Sequence, residues 1–382
     1  MRQRLEPDRL VGNLLDKAPG AAWFVMLFLA IFCAGTGMDA RQASAAGGDI
    51  LWQYDDAKPA KQEAFSSVAD SAGNIIVVGS TQNGSEDFFT AKINQDGSST
   101  AWTATFDLAG GADRAMAVTV DQNEDVLVSG YAWNGVNYDF HTIKYNGSDG
   151  SVAWQNTFNA VANGTDIPTD ITVDSLGNVY VGGNSQGSSG TDDFMLIKYS
   201  PSGANPDGSP VWQQSYNGTG NGQDRINAIA AGTNGVAVSG YSHNGSDYDY
   251  LTIKYGFDGS QTWLKTHNAG SGDDRAQATA MDGSGNVLVT GYVYNTNYDI
   301  YTVKYSSSDG TVLWSKTYSD VFDDQGRDLW IDAAGDVYIT GTSYTITGFN
   351  DFYTAKYAAA DGALAWEKIY NSSGSDTDIP IE

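Results

Sequence analysis

An all-β architecture of repeated four-stranded antiparallel sheets follows from three observations on this 382-residue chain. Trp52, Trp102, Trp154, Trp212, Trp263, Trp314 and Trp366 recur at spacings of 50, 52, 58, 51, 51 and 52 residues. Between them, four short motifs return in a fixed order, each rich in Val, Ile, Thr, Tyr and Phe and bounded by Gly, Asn or Asp, which are strand and hairpin signals. The strands are apolar on both faces, so a single sheet could not stand in water. Stacking such sheets around an axis buries both faces, and that arrangement is a β-propeller. A solenoid is the competing repeat architecture, but its period is usually roughly 20–30 residues.

Each unit reads as strands a, b, c and d. Strand a is an alternating segment such as DRAMAVTVD (113–121) or DRAQATAMD (274–282). Strand b follows a tight turn: NIIVVG, DVLVSG, NVYVGG, GVAVSG, NVLVTG and DVYITG. Strand c is D-[FYI]-x-[TL]-x-K-[YI], with Lys92, Lys144, Lys198, Lys254, Lys304 and Lys356 at its sixth position. Strand d carries the Trp, and an aromatic ring stands four residues later: Phe106, Phe158, Tyr216, His267, Tyr318 and Tyr370. His267 therefore occupies a packing slot, and His141, alternating with Ile143 and Tyr145, is read the same way. The a–b turns offer Asp70, Asp121, Asp174, Asp282 and Asp332 on the face of the lysines, which predicts a structural tie once per blade.

Six complete units run from about residue 62 to 370. ILWQYD (50–55) adds a seventh d strand, and TDIPIE (377–382) repeats the start of strand a in TDIPTDITV (165–173). The expectation is a ring of six blades with these pieces meeting at the seam. The alternative is an open or truncated seven-bladed design.

Residues 1–45 precede the repeats. A basic start leads into the uncharged apolar run AAWFVMLFLAIFCAGTG (21–37), followed by Ala43-Ser44-Ala45. This predicts a secretory signal cleaved after Ala45, leaving 46–382 as the propeller domain. An uncleaved anchor is the alternative, since 17 residues lies at the lower edge of a spanning helix. A lipid on Cys33 is disfavoured by Phe32 before it. Cleavage would remove the only cysteine, so no disulfide would support the exported protein.

The unit D-x-x-G-N-V-Y-V-T-G … D-[FY]-x-T-x-K-Y … G-x-x-x-W resembles the bacterial beta-propeller repeat called the seven-bladed beta-propeller (SBBP) repeat. The matching stretches are 174–182 with 193–199 and 282–291 with 299–305. The resemblance spans roughly residues 50–370 and implies an exported or cell-surface bacterial propeller with no family catalytic residues. The hairpin SSSDGTVLW (306–314) is also similar to the tryptophan-docking repeats of quinoprotein dehydrogenases and their non-catalytic outer-membrane relatives. That likeness is confined to one hairpin per blade, and no residues for a quinone accompany it.

Function is bounded mainly by exclusion. A net charge of −26 repels nucleic acid and anionic membranes. One Cys and three His leave no Cys/His zinc set, and no G-x-S-x-G, H-E-x-x-H or phosphate loop follows residue 45. Chain direction gathers the d–a and b–c loops on one face, the top. There Asp113, Asp166, Asp224, Asp274 and Asp324 begin strand a, and Asp87, Asp139, Asp193, Asp249, Asp299 and Asp351 begin strand c. The first set is the weak metal candidate, a carboxylate ring suited to Ca²⁺ and no other cofactor. The plainer reading is that these residues cap turns and pair with Arg114, Arg225 and Arg275. Just after strand b stand Tyr131, Trp133, Tyr241, His243, Tyr292, Tyr294 and Tyr344, the candidate ligand platform. Those positions vary among the copies, and variable loops on a rigid frame are where specificity resides. The reading is an exported monomeric binding or scaffold module for a glycan or protein. The alternatives are a glycan-acting enzyme using top-face carboxylates and a periplasmic assembly factor.

Overall fold

The computed structural model describes residues 62–370, apart from 161–162, 188–189, 207 and 345–349. The predicted signal segment and the seventh-blade pieces 50–55 and 377–382 lie outside the described residues. Within them are 24 strands and no helix. Blade one holds β1 (Gln62–Ala69), β2 (Ile75–Asn83), β3 (Ser85–Ile93) and β4 (Thr100–Phe106); blade two holds β5 (Arg114–Val120), β6 (Val126–Trp133), β7 (Tyr138–Tyr145) and β8 (Val152–Phe158). Blade three comprises β9 (Asp166–Val173), β10 (Val179–Gln186), β11 (Asp192–Tyr199) and β12 (Trp212–Tyr216). Blade four comprises β13 (Asp224–Ala231), β14 (Val236–His243), β15 (Tyr248–Tyr255) and β16 (Gln261–His267). Blades five and six follow as β17 (Arg275–Met281), β18 (Val287–Tyr294), β19 (Tyr298–Tyr305), β20 (Val312–Tyr318), then β21 (Asp324–Ile331), β22 (Val337–Tyr344), β23 (Asn350–Tyr357), β24 (Leu364–Tyr370). Each blade is one antiparallel a-b-c-d meander, as the motif order requires. The protein is an all-β propeller, with six full blades among the described residues.

Successive a strands pack side by side (β1 on β5, β5 on β9, β9 on β13, β13 on β17, β17 on β21), so strand a is innermost. The apolar core lies between the sheets. Ile76, Val78, Phe88 and Trp102 of blade one interlock with Ala115, Val126, Val128, Ile143 and Tyr145 of blade two, and four further joints repeat this layer. Burying a ring such as Phe88 or Phe140, both 0% exposed, stabilises the fold by roughly 2–3 kcal/mol.

Among the described residues no contact comparable to the five joints connects β21–β24 with β1. Ala64 is exposed where its counterparts Ala115, Ile226 and Ala276 are fully buried. On the other side Trp366 is 39% exposed, against 6–7% for Trp102, Trp263 and Trp314. The expected meeting of the seventh-blade pieces at this seam falls outside the described residues.

Candidate functional site

Both ends of the blades are built by carboxylates, but with different results. At the bottom, Asp70 Oδ1 accepts the backbone N–H groups of Ala72 and Asn74, forming the a–b turn, while Oδ2 faces Lys92 Nζ at 2.9 Å. The expected ion pair recurs as Lys144–Asp121 (2.7 Å), Lys304–Asp282 (2.9 Å) and Lys356–Asp332 (3.4 Å). Blade three departs, because the Tyr180 hydroxyl takes Asp174 Oδ2 and Lys198 turns to the Tyr180 and Phe257 rings. Blade four has no such aspartate, and Lys254 donates to Asn234 Oδ1 and to the Ser307 hydroxyl instead.

A second bottom feature was not legible as chemistry in the sequence. Each c-strand lysine pairs in register with the d-strand Trp. In four blades both donate to one carbonyl of the next blade: Lys92 and Trp102 to Gly147, Lys198 and Trp212 to Phe257, Lys254 and Trp263 to Ser307, Lys304 and Trp314 to Ala359. Trp154 donates alone to Pro201. The glycine of that next turn lies flat on the indole, and a Cβ on Gly150 would fall 2.6 Å from the Trp102 ring. Its φ of 71° places it in the left-handed region that glycine enters freely.

At the top, the five strand-a carboxylates are not brought together. Each is 0% exposed and gives at least one oxygen to its own loops. Asp113 accepts from the N–H groups of Leu108 and Trp133, Asp224 from Gly218 and His243, and Asp274 from Ala269 and Tyr294. Asp166 and Asp324 hold Ala160 and Asp320 likewise. Among the described residues no three acidic, His or Cys side chains converge as a metal would need. The set does not fit a shared Ca²⁺. Instead, three of these aspartates anchor the backbone of the candidate aromatic residues, so the two predicted features are one unit. Burial pushes the carboxyls of Asp274 and Asp324 up to about 6, with the charges of Asp249 and Asp299 adding to it. Asp193 is raised to about 6 by burial and by Asp224 and Asp192.

In blades two, four and five the aromatic residues are placed as ladders. Tyr138 stands between Tyr131 and Trp133, with both ring centroids at 5.1 Å; Tyr248 stands between Tyr241 and His243, and Tyr298 between Tyr292 and Tyr294. In blade six Tyr344 meets Phe322 instead. Tyr241 and Tyr292 are buried, whereas Trp133, His243, Tyr294 and Tyr344 are half-buried. Arg275 lies over Tyr241 and Tyr248 of the preceding blade, and Arg114 and Arg225 cross to Glu86 and Asp192. Tyr138, Tyr248 and Tyr298 were missed in the sequence, although each directly precedes the strand-c aspartate.

His141 stacks on Phe106 at 3.9 Å with its pKa driven down to about 4 by burial, and His267 stacks on Tyr301 at 4.4 Å. Both sit in the packing slots that the pattern assigned them.

The other feature missed is a bulge. Every strand a slips register by one residue against strand b, at Phe65, Met116, Thr169, Asn227, Gln277 and Arg327. A bulge re-aims a side chain. These six line a central cavity of about 340 Å³ together with Asp170 and Asp328. No two are alike. Thr169 and Asn227 also reach the next a strand, donating to the carbonyls of Ile226 and Ala276.

Residues 160–190 match the Beta-propeller repeat (SBBP) model, and residues 73–99 match a beta-propeller domain of unknown function (DUF5122). Both matched stretches lie within single blades, and both models describe β-propeller repeats. No curated protein matches it by sequence. Among solved structures it is similar to Chaetomium thermophilum Sqt1 bound to the N-terminus of ribosomal protein L10, at 12% identity and TM-score 0.50, over 80% of this chain and 74% of that one. It is similar also to quinohemoprotein alcohol dehydrogenase from Comamonas testosteroni, at 10% identity and TM-score 0.50, over 81% of this chain and 61% of the enzyme. Identities this low speak to the fold alone.

Proposed function

We propose that this propeller is an exported, non-catalytic binding module that takes a neutral or basic protein segment on its top face, over the mouth of the central cavity. One observation carries the reading. The frame repeats in six copies, yet the residues differ from blade to blade at two places: the bulge below the mouth and the positions after strand b. Repetition is what packing requires, while divergence on a rigid frame is the mark of selected contacts. A protein segment is favoured over a glycan because the ladder rings meet edge to face, offering edges and hydroxyls rather than free faces for sugar stacking. The buried carboxylates and the net charge of −26 disfavour anionic ligands. The Sqt1 complex supports the choice to the extent that a propeller frame of similar shape receives a peptide terminus.

A peptide array spanning neutral, basic and acidic sequences, run beside a glycan array, tests it. Retention of neutral or basic peptides that is lost in the double variant Trp133→Ala/Tyr294→Ala supports the proposal. Binding confined to glycans, or peptide binding that survives the double variant, sinks it.

A further inference from the structure

The bulges give the central cavity a wall that changes character from blade to blade. Each turns two consecutive residues toward the cavity, where a regular strand would alternate them between its faces. Blades one and two supply a largely apolar stretch through Phe65 and Met116. In blades three and four the polar groups are already engaged. The Thr169 hydroxyl donates to the Ile226 carbonyl, the Asn227 amide to the Ala276 carbonyl, and Asp170 accepts from the N–H groups of Ile171 and Ile229. Blade six differs. Its bulge carries opposite charges on consecutive residues, Arg327 and Asp328, both exposed and both lining the cavity. Arg327 donates to Gln325 and Asp328 Oδ1 accepts from the Leu329 N–H, and neither bond leaves the strand. Among the described residues neither charge has an ion-pair partner, not even the other.

We propose that the cavity is a second binding site, for a small zwitterion: a free α-amino acid with an apolar side chain. Arg327 and Asp328 match the two charges that such a molecule carries on one carbon. The guanidinium fork suits its carboxylate, and Asp328 faces its ammonium. Gln277 of the adjacent blade adds an amide to the polar side of the wall, and Phe65 and Met116 receive the side chain. A ligand of one charge only would set that charge beside an uncompensated like charge. A zwitterion compensates both, and being neutral overall it is not repelled by a protein of net charge −26. Size agrees, since about 340 Å³ lies at the small end of the roughly 300–1,000 Å³ typical of small-molecule sites. The carboxyl of Asp328 adds support. Desolvation by the surrounding strands raises it above the ordinary aspartate range although it reaches the cavity, and an ammonium beside it would draw it down again. This site does not depend on the protein segment proposed for the top face.

Equilibrium dialysis of the full chain against labelled leucine, methionine and phenylalanine tests it, with their N-acetyl and carboxamide derivatives as competitors. At least one free amino acid should be retained, and neither blocked form should compete, because each lacks one of the two charges. Asp328→Asn and Arg327→Gln should each weaken retention at least about tenfold, as losing one charge-assisted contact would. The top-face variant Trp133→Ala/Tyr294→Ala should retain the amino acid as the parent does, so that a failure of peptide binding and a failure of this site are told apart. Retention of none of the three overturns the proposal, as does retention that survives both cavity substitutions. Retention lost in the top-face variant places the ligand outside the cavity and overturns it too. A carboxamide that competes as well as the free acid overturns it in favour of a chain's amino terminus, and an N-acetyl form that does so overturns it in favour of a carboxylate alone.

Discussion

The bottom and top faces of the blades use the same residue types to opposite ends. At the bottom, an aspartate shapes a turn, a lysine spans strands and a tryptophan docks on the next blade, and the same set recurs with little variation. At the top, an aspartate shapes a loop as well, but what it holds differs: Trp133 in blade two, His243 in blade four, Tyr294 in blade five. Where a polar group serves the joint between blades, every blade needs it. Where it positions an outward side chain, the residue beyond is free to change. The bottom is frame and the top is surface.

The largest effect should come from the bottom. Trp263→Ala removes a buried ring and its indole bond to Ser307, and should cost about 3–5 kcal/mol in urea unfolding. Trp366→Ala, at 39% exposure, should cost less than half of that. Equal losses would show that exposure of sheet six does not weaken its frame contacts.

Next in size is the lysine of the same clasp. Lys254 is 1% exposed and donates to Asn234, Gly285 and both oxygens of Ser307. Lys254→Met removes all of those bonds at a buried position, and should cost about 2–3 kcal/mol. Lys356→Met, whose partners at Asp332 and Asp336 keep access to water, should cost about 1 kcal/mol or less. Matching values would erase the distinction between a closed joint and an open one.

The frame was legible in the sequence because it repeats. Strand order, the Lys–Asp ties and the packing of His141 and His267 all follow from positions occupied alike in most copies. Three things were not legible. The bulge is a backbone event, and Phe65, Met116, Thr169, Asn227, Gln277 and Arg327 share no side-chain type that would mark it. The Lys–Trp clasp joins residues of adjacent blades through a carbonyl, and a carbonyl has no sequence identity. The strand-a aspartates were visible, but burial decides their role: at 0% exposure they hold N–H groups, whereas the same pattern at a solvated rim would offer a cation site.

Acid should separate the faces further. Asp193, Asp274 and Asp324 titrate at about 6 in the fold, above the ordinary aspartate value of 3.8, so the native state holds more protons than the unfolded chain between those limits. Their contribution to stability is greatest in acid and is lost as pH rises through about 6. The bottom carboxylates Asp70 and Asp282 are lowered, against the burial that raises them, by bonds from Asn74 and Lys92 and from Asn286 and Lys304. Their contribution is lost only below that ordinary value. The melting temperature should therefore fall between pH 4.5 and 7 by a few degrees, as roughly 1 kcal/mol would produce. Asp324→Asn, which places an N–H where the proton sat, should flatten part of the slope. An unchanged slope would mean that the top aspartates stay ionised throughout.

The smallest effect on stability is expected where the effect on binding is largest. Trp133 and Tyr294 are half-buried, each meeting a neighbouring tyrosine edge to face and covering the d–a glycine, Gly111 or Gly272. Removing either ring gives up one aromatic pair, worth about 0.5–1.5 kcal/mol beyond its area, and leaves no sealed cavity because the loop opens to water. The double variant should lose no more than about 2–3 kcal/mol, below the loss from Trp263→Ala alone, and should keep a cooperative thermal transition. The same variant should lose the peptides retained by the parent. A double variant as damaging as Trp263→Ala would place these rings in the frame, and divergence among the copies would then reflect only alternative ways of packing a loop.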